Sequence, residues 1–201
     1  MFAALVIGLL LLTSCQGTGT TTASESPSAG ASPATGRSSL TPTTPSIDGE
    51  PLTANLAVGD RVPEFSAPSL AGDGSVTWSD YDGVPRVLSI WAPWCPHCQK
   101  ELPIIAKVAQ TFPGVQVVTV ATAVDVAPGP TPAQFVEERN LTFPVAMDDA
   151  DMTLAKGLGV QGFPTVYFVG THGTVTQVMV GERSESEWQA AFERIDATAV
   201  D

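Results

Sequence analysis

The sequence predicts a single α/β domain behind an N-terminal appendage, and three observations carry that prediction. From about residue 56 onward, short apolar strand-like runs alternate with helix-like stretches. The order closes as strand, turn, strand, helix: Thr165 to Val169, Val175 to Val180, then a helix opening at Ser184. Between the first long apolar run and the first helix stands Trp94-Cys95-Pro96-His97-Cys98, a Cys-x-x-Cys where a β-run feeds a helix. The 201 residues suit one domain plus appendages, and a 43% hydrophobic content supplies a core. A net charge of −12 with nine scattered Lys and Arg leaves no basic stripe, which argues against nucleic acid as a partner.

Phe2 to Leu12 is an apolar run of 11 residues, too short to span a bilayer and suited to the core of a signal peptide. Leu12-Thr13-Ser14-Cys15 resembles a bacterial lipobox, with cleavage before Cys15 and lipid on its thiol. This reading assigns residues 1–14 to a signal peptide. It accounts for the odd one of three cysteines and places the chain on the extracytoplasmic face of the cell membrane, held by lipid without a spanning helix. An ordinary signal peptide, or a buried N-terminal helix with an inert Cys15, is the competing reading. Residues 15–55 turn abruptly to Thr, Ser, Pro, Gly and Ala and predict a flexible tether. Forty such residues reach about 35 Å.

Residues 56–201 form the predicted domain. Val58 to Ser69 reads as an extended arm, and Gly72-Asp73-Gly74 as a turn into Ser75-Val76-Thr77-Trp78, hence an N-terminal β-hairpin. Val84 to Trp91 is nearly continuous apolar sequence, as expected of a central strand buried on both faces. The following helix runs to Gln110, with Pro103 expected to kink it. Val115 to Ala121 is a second buried strand. Thr131 reads as an N-cap with Pro132 at the first helical position of a helix to about Asn140. Pro144 to Met147 is a short strand and Met152 to Lys156 a short helix. Ser184 and Glu187 have capping-box spacing for a final helix to about Ala197.

The chemistry concentrates at Cys95. At a helix N-terminus its sulfur faces unpaired N–H groups and the positive end of the helix dipole, which favour thiolate over thiol. Pro96 suits the first turn, where its missing N–H costs nothing. A protonated His97 is expected to stand as a second cation beside the same sulfur, stabilising the reduced form and making the disulfide a stronger oxidant. Cys98 lies close enough to close a disulfide. Zinc is the poorer reading, with no second Cys-x-x-Cys and only His97 and His172 as histidines. A purely structural disulfide is also open, although such bridges usually clamp distant loops.

Trp-Cys-x-x-Cys resembles the active site of the thioredoxin superfamily, and the Pro-His pair resembles the bacterial DsbA oxidases. The frame Trp91-Ala92-Pro93-Trp94-Cys95 through Glu101-Leu102-Pro103 is similar to the extracytoplasmic TlpA/ResA-like thioredoxins and their DsbE/DsbF-like relatives. The resemblance covers roughly residues 56–196. It implies a thioredoxin fold with an N-terminal β-hairpin and a central helix–strand insertion, and a redox-active Cys95–Cys98 pair with no other cofactor and no metal. It also implies that Pro164, in Gly162-Phe163-Pro164-Thr165 and 69 residues after Cys95, is the cis-proline against the disulfide. Trp94, Phe163 and Thr165 are then candidates for substrate contact. Glu101 matches a glutamate near the thiols in TlpA/ResA-like proteins, where it can shuttle the Cys98 proton; the alternative is an exposed first-turn Glu favoured by the helix dipole. Ser89 replaces the buried acid of ordinary thioredoxins.

Gly157-Leu158-Gly159-Val160-Gln161-Gly162 spells a dinucleotide fingerprint, but helix-like residues precede it and a strand follows, the reverse of the required context. The expected activity is membrane-tethered thiol–disulfide exchange on exported cysteine-containing proteins, leaning to oxidase, with a membrane redox partner recycling the pair and a monomeric catalytic domain. Alternatives are a TlpA-like reductase serving cytochrome c or copper-site maturation, a peroxiredoxin, and a copper-binding chaperone. A peroxiredoxin's Pro-x-x-x-Thr/Ser-x-x-Cys would need its proline and hydroxyl where this chain has Leu88 and Ala92.

Overall fold

A computed structural model describes residues 44–72 and 74–200, which belong to one compact unit. The segment read as a signal peptide, Cys15 and the first part of the expected tether lie outside the described residues. The central element is a five-stranded sheet of β4 (Arg86–Trp91), β5 (Gln116–Ala121), β6 (Val145–Met147), β7 (Thr165–Val169) and β8 (Val175–Val180), in the order β6-β5-β4-β7-β8. β4, β5 and β6 run parallel, while β7 is antiparallel to β4 and β8 to β7. All six residues of β4 are buried, which is why its sequence is nearly continuous apolar rather than alternating.

Period-two alternation divides the core. Leu88, Ile90, Val118, Val120, Tyr167 and Val169 face one layer, with Phe65, Trp78, Leu154 and Leu158. Val87, Val117, Val166 and Phe168 face the other, which α1 (Pro96–Ala109) and α4 (Glu185–Asp196) cover with Ile105, Val108, Trp188 and Phe192. α1 continues through Pro103 as one element. α2 (Pro132–Glu138) opens on a complete Thr131/Gln134 capping box, and with β6 forms the helix–strand insertion. A short α3 (Thr153–Gly157) follows. This is the thioredoxin-fold architecture that the sequence implied.

The N-terminal boundary is corrected. The expected hairpin exists as β2 (Phe65–Pro68) against β3 (Ser75–Thr77), but β1 (Ser46–Ile47) adds a third strand from within the segment assigned to the tether. Ile47 packs into the first core layer, the Asp48 N–H donates to the Glu64 carbonyl at 2.8 Å, and the Leu52 N–H donates to Lys156 at 3.2 Å. Residues 46–55 are therefore part of the domain. Two glycines of the decoy fingerprint serve this docking: Gly157 lies against the Ile47 side chain, and Gly159, at φ +67°, lies so near the Ala54 carbonyl that any Cβ would collide with it.

Candidate active site

β4 ends at the fully buried Trp91, and the chain turns through Ala92-Pro93-Trp94 into α1. Cys95 is the N-cap, in extended backbone conformation (φ −75°, ψ 118°), with Pro96 opening the helix. The Cys95 N–H donates to the Ala92 carbonyl at 3.1 Å, and its own carbonyl accepts from Gln99 at 3.0 Å. The two thiols are unbridged but unequal: Cys95 keeps 5% exposure and Cys98 none. Burial pushes the Cys98 thiol far up, and its hydrogen bond with Cys95 adds to this against an opposing bond with the Ala92 backbone. Cys98 is thus held protonated at neutral pH.

The second wall is the Phe163–Pro164 segment, joined by a cis peptide bond. The Cys95 thiol donates to the Phe163 carbonyl at 3.6 Å. Thr165 pairs with Ile90 of β4 and anchors the turn by donating its hydroxyl to the Gly162 carbonyl at 2.7 Å. Trp94 meets Phe163 edge-on, with ring centroids 6.2 Å apart, and donates its indole N–H to the Ala123 carbonyl at 2.6 Å. Gly129 lies against the Trp94 backbone, where a Cβ would come within 2.7 Å.

The third wall was not legible. Residues 181–183, between β8 and α4, bond to both other walls. The Gly181 N–H donates to the Pro164 carbonyl at 2.9 Å. Glu182 Oε2 sits 2.9 Å from His97 Nδ1 and 3.4 Å from Lys100 Nζ. The Arg183 N–H donates to Glu101 Oε1 at 2.8 Å. No sign in the sequence pointed to a partner for His97: its side chain is 56% exposed and engages the Glu182 carboxylate.

Glu101 is not the exposed first-turn residue of its second reading. It is fully buried, with Oε2 accepting the Trp188 indole N–H at 2.6 Å and Oε1 the Arg183 amide. Burial raises its carboxyl above the ordinary range, opposed by these two bonds. Its hydrogen bonds hold α4 and the 181–183 turn against α1. The one sequence signal was Trp188, because a buried indole N–H needs an acceptor. Among the described residues no group of three or more His, Cys, Asp or Glu is placed to hold a metal ion.

Residues 58–178 match the AhpC/TSA family. The chain is 29% identical over 132 residues to the thiol:disulfide interchange protein DsbE of Pseudomonas fluorescens biotype C, covering 66% of this chain and 71% of that protein. It is 28% identical over 142 residues to the thiol-disulfide oxidoreductase ResA of Geobacillus kaustophilus, covering 70% and 79%. The solved structure of MTB dsbF superimposes with a TM-score of 0.57 at 35% identity, covering 65% of this chain and 94% of that one. With a Cys-x-x-Cys at the mouth of the β4–α1 turn, the chain belongs to the AhpC/TSA family, within the thioredoxin superfamily, as a thiol–disulfide oxidoreductase of the DsbE/ResA type.

Proposed function

We propose that this protein is tethered to the outer face of the cell membrane by lipid on Cys15 and donates disulfides to exported cysteine-containing proteins. The observation that carries the exchange mechanism is the inequality of the two thiols: Cys95 is partly accessible at the helix N-cap, and Cys98 is buried and held protonated. A client thiolate attacks the Cys95 sulfur of the Cys95–Cys98 disulfide; the S–S bond breaks, and Cys98 leaves and takes up a proton. A second client thiolate then attacks the client sulfur of the mixed disulfide and releases Cys95 as a thiolate. The client loses two electrons and the Cys95–Cys98 pair gains them, until a membrane redox partner removes them. Trp94 and Phe163, both half-buried, border Cys95 as the client-facing rim, while Pro164 and the fully buried Thr165 support it from behind.

The donor direction rests on the Pro96-His97 pair. The reductase reading, in cytochrome c or copper-site maturation, gains support from Glu182, whose carboxylate sits against His97, and from the names DsbE and ResA among the relatives. Peroxide turnover is the weaker reading, because Ala92 offers Cys95 a backbone carbonyl and no hydroxyl. Equilibration of the full chain in glutathione buffers, read by the fluorescence of Trp91 and Trp94, separates the directions. A potential near the DsbA figure of about −120 mV supports the donor, and one near the thioredoxin figure of about −270 mV supports the reductase.

A further inference from the structure

We infer that Glu182 is a positioning residue that sets the oxidising power of the Cys95–Cys98 pair by placing a negative charge against the two basic side chains on the first turns of α1. The inference rests on Cys95–Cys98 being redox-active. The geometry separates the charge of Glu182 from the structural duties of its neighbours. Gly181 and Arg183 bond to the Pro164 carbonyl and to Glu101 through backbone N–H groups, so these links survive a change of side chain at 182. The Glu182 side chain turns the other way, to His97 Nδ1 at 2.9 Å and Lys100 Nζ at 3.4 Å, two and five residues beyond Cys95. His97 and Lys100 hold its carboxyl below the ordinary range, as a charged partner does. The Arg183 guanidinium donates to the Glu182 carbonyl at 2.8 Å and is the remaining charged side chain at this turn.

Charge balance fixes the sign. Reduction of the disulfide consumes two electrons and, when Cys95 is left as a thiolate, one proton. Positive charge near Cys95 favours that product and makes the disulfide more oxidising. An imidazole changes charge between pH 5 and 8. Removing the carboxylate therefore leaves the His97–Lys100–182 cluster one unit more positive where His97 keeps its protonation. Where His97 gives up its proton the gain is smaller, and in neither case does the cluster become more negative. Glu182 thus restrains the Pro-His pair, holding the protein less oxidising than its Cys-Pro-His-Cys sequence alone implies.

The test uses the full chain with Cys15→Ser, so that two thiols remain, equilibrated with reduced and oxidised glutathione at low salt. Glu182→Gln is expected to shift the equilibrium toward the dithiol by about two- to fivefold, the range of an exposed charge pair. Glu182→Asp should stay near the parent, and 1 M salt should erase most of the Gln effect. An unchanged equilibrium in Glu182→Gln, or an equal shift in the Gln and Asp variants, would overturn the charge role. If the parent forms no Cys95–Cys98 disulfide at any glutathione ratio, the redox assignment fails and the role of Glu182 fails with it. A parent that titrates normally while Glu182→Gln titrates at the same ratio overturns the role of Glu182 alone.

Discussion

The two ends of β4 are equally buried and put to opposite uses. At its start, Arg86 is 1% exposed, with Nη1 donating to the Trp78 carbonyl at 3.0 Å, Nη2 paired with Asp82 at 2.7 Å, and the guanidinium 4.1 Å from the Trp78 ring centroid. Both terminal nitrogens of that guanidinium are held by neighbours, and its buried Nε faces none among the described residues. At the other end the chain leaves Trp91 for Cys95, whose thiol makes one weak donor contact and which keeps 5% exposure. A strand can carry a reactive group at one end because the opposite end is closed by packing.

The largest expected effect breaks the reactive end. Cys95→Ser should abolish disulfide exchange while leaving the unfolding midpoint of the dithiol form nearly unchanged. Cys98→Ser should instead accumulate mixed disulfides with client proteins on non-reducing gels; clean turnover by either variant would dismiss the assigned order of attack. Because Cys98 is held protonated, its attack on a mixed disulfide at Cys95 should accelerate about tenfold per pH unit through the neutral range, as its thiolate fraction grows. Stopped-flow release of a model client from the mixed disulfide measures this directly.

Arg86→Ala breaks the closed end. It leaves a cavity beside Trp78 and an unpaired Trp78 carbonyl, a cost of about 3 kcal/mol in denaturant unfolding. Exchange per folded molecule should not change. Arg86→Met should recover part of the loss by refilling the volume. If the alanine variant changed exchange as much as stability, the two ends would not be separable.

The difference between the ends also explains what the sequence discloses. Cys95, Cys98 and the strands at 165–169 and 175–180 were legible because their signal is local: a fixed spacing and runs of apolar residues. β1 was not, since Ile47 is a lone apolar side chain among Thr, Ser, Pro and Asp, and its partner strand lies across a long loop. The Glu182–His97 pair spans 85 positions and leaves no periodic trace. Whether Glu101 is exposed depends on α4 covering it, which no spacing within α1 reports.

Glu101 joins packing to the reactive end, bracing α4 while standing one turn from Cys98. Glu101→Gln keeps the shape but can accept from only one of the two donors, Arg183 N–H and Trp188 Nε1–H, and should cost about 1–2 kcal/mol at neutral pH. The pH dependence has a definite sign. The folded carboxyl is raised above its ordinary 4.5, so its stabilising contribution is full below that value and is lost as pH rises through the raised one. The gap between the parent and Glu101→Gln should therefore widen on acidification through that window. A gap that narrows would mean that the carboxylate, and not the acid, is the form favoured by the fold.

Trp94→Phe should give the smallest effect and the most local one. The indole N–H is the donor to the Ala123 carbonyl, and Ala123 has φ +50°, a left-handed conformation that costs a non-glycine residue about 1 kcal/mol. Phenylalanine keeps the ring against Phe163 but removes that donor, so residues 123–131 lose a tie of about 1 kcal/mol to the active-site turn. Amide hydrogen exchange should quicken in this loop and stay unchanged in β4 and α1. The reduction potential should hold as well, since no charge has moved. Faster exchange throughout α1 would instead show that the loop braces the Cys95 turn, extending the closed, packed character of the Arg86 end into the reactive one.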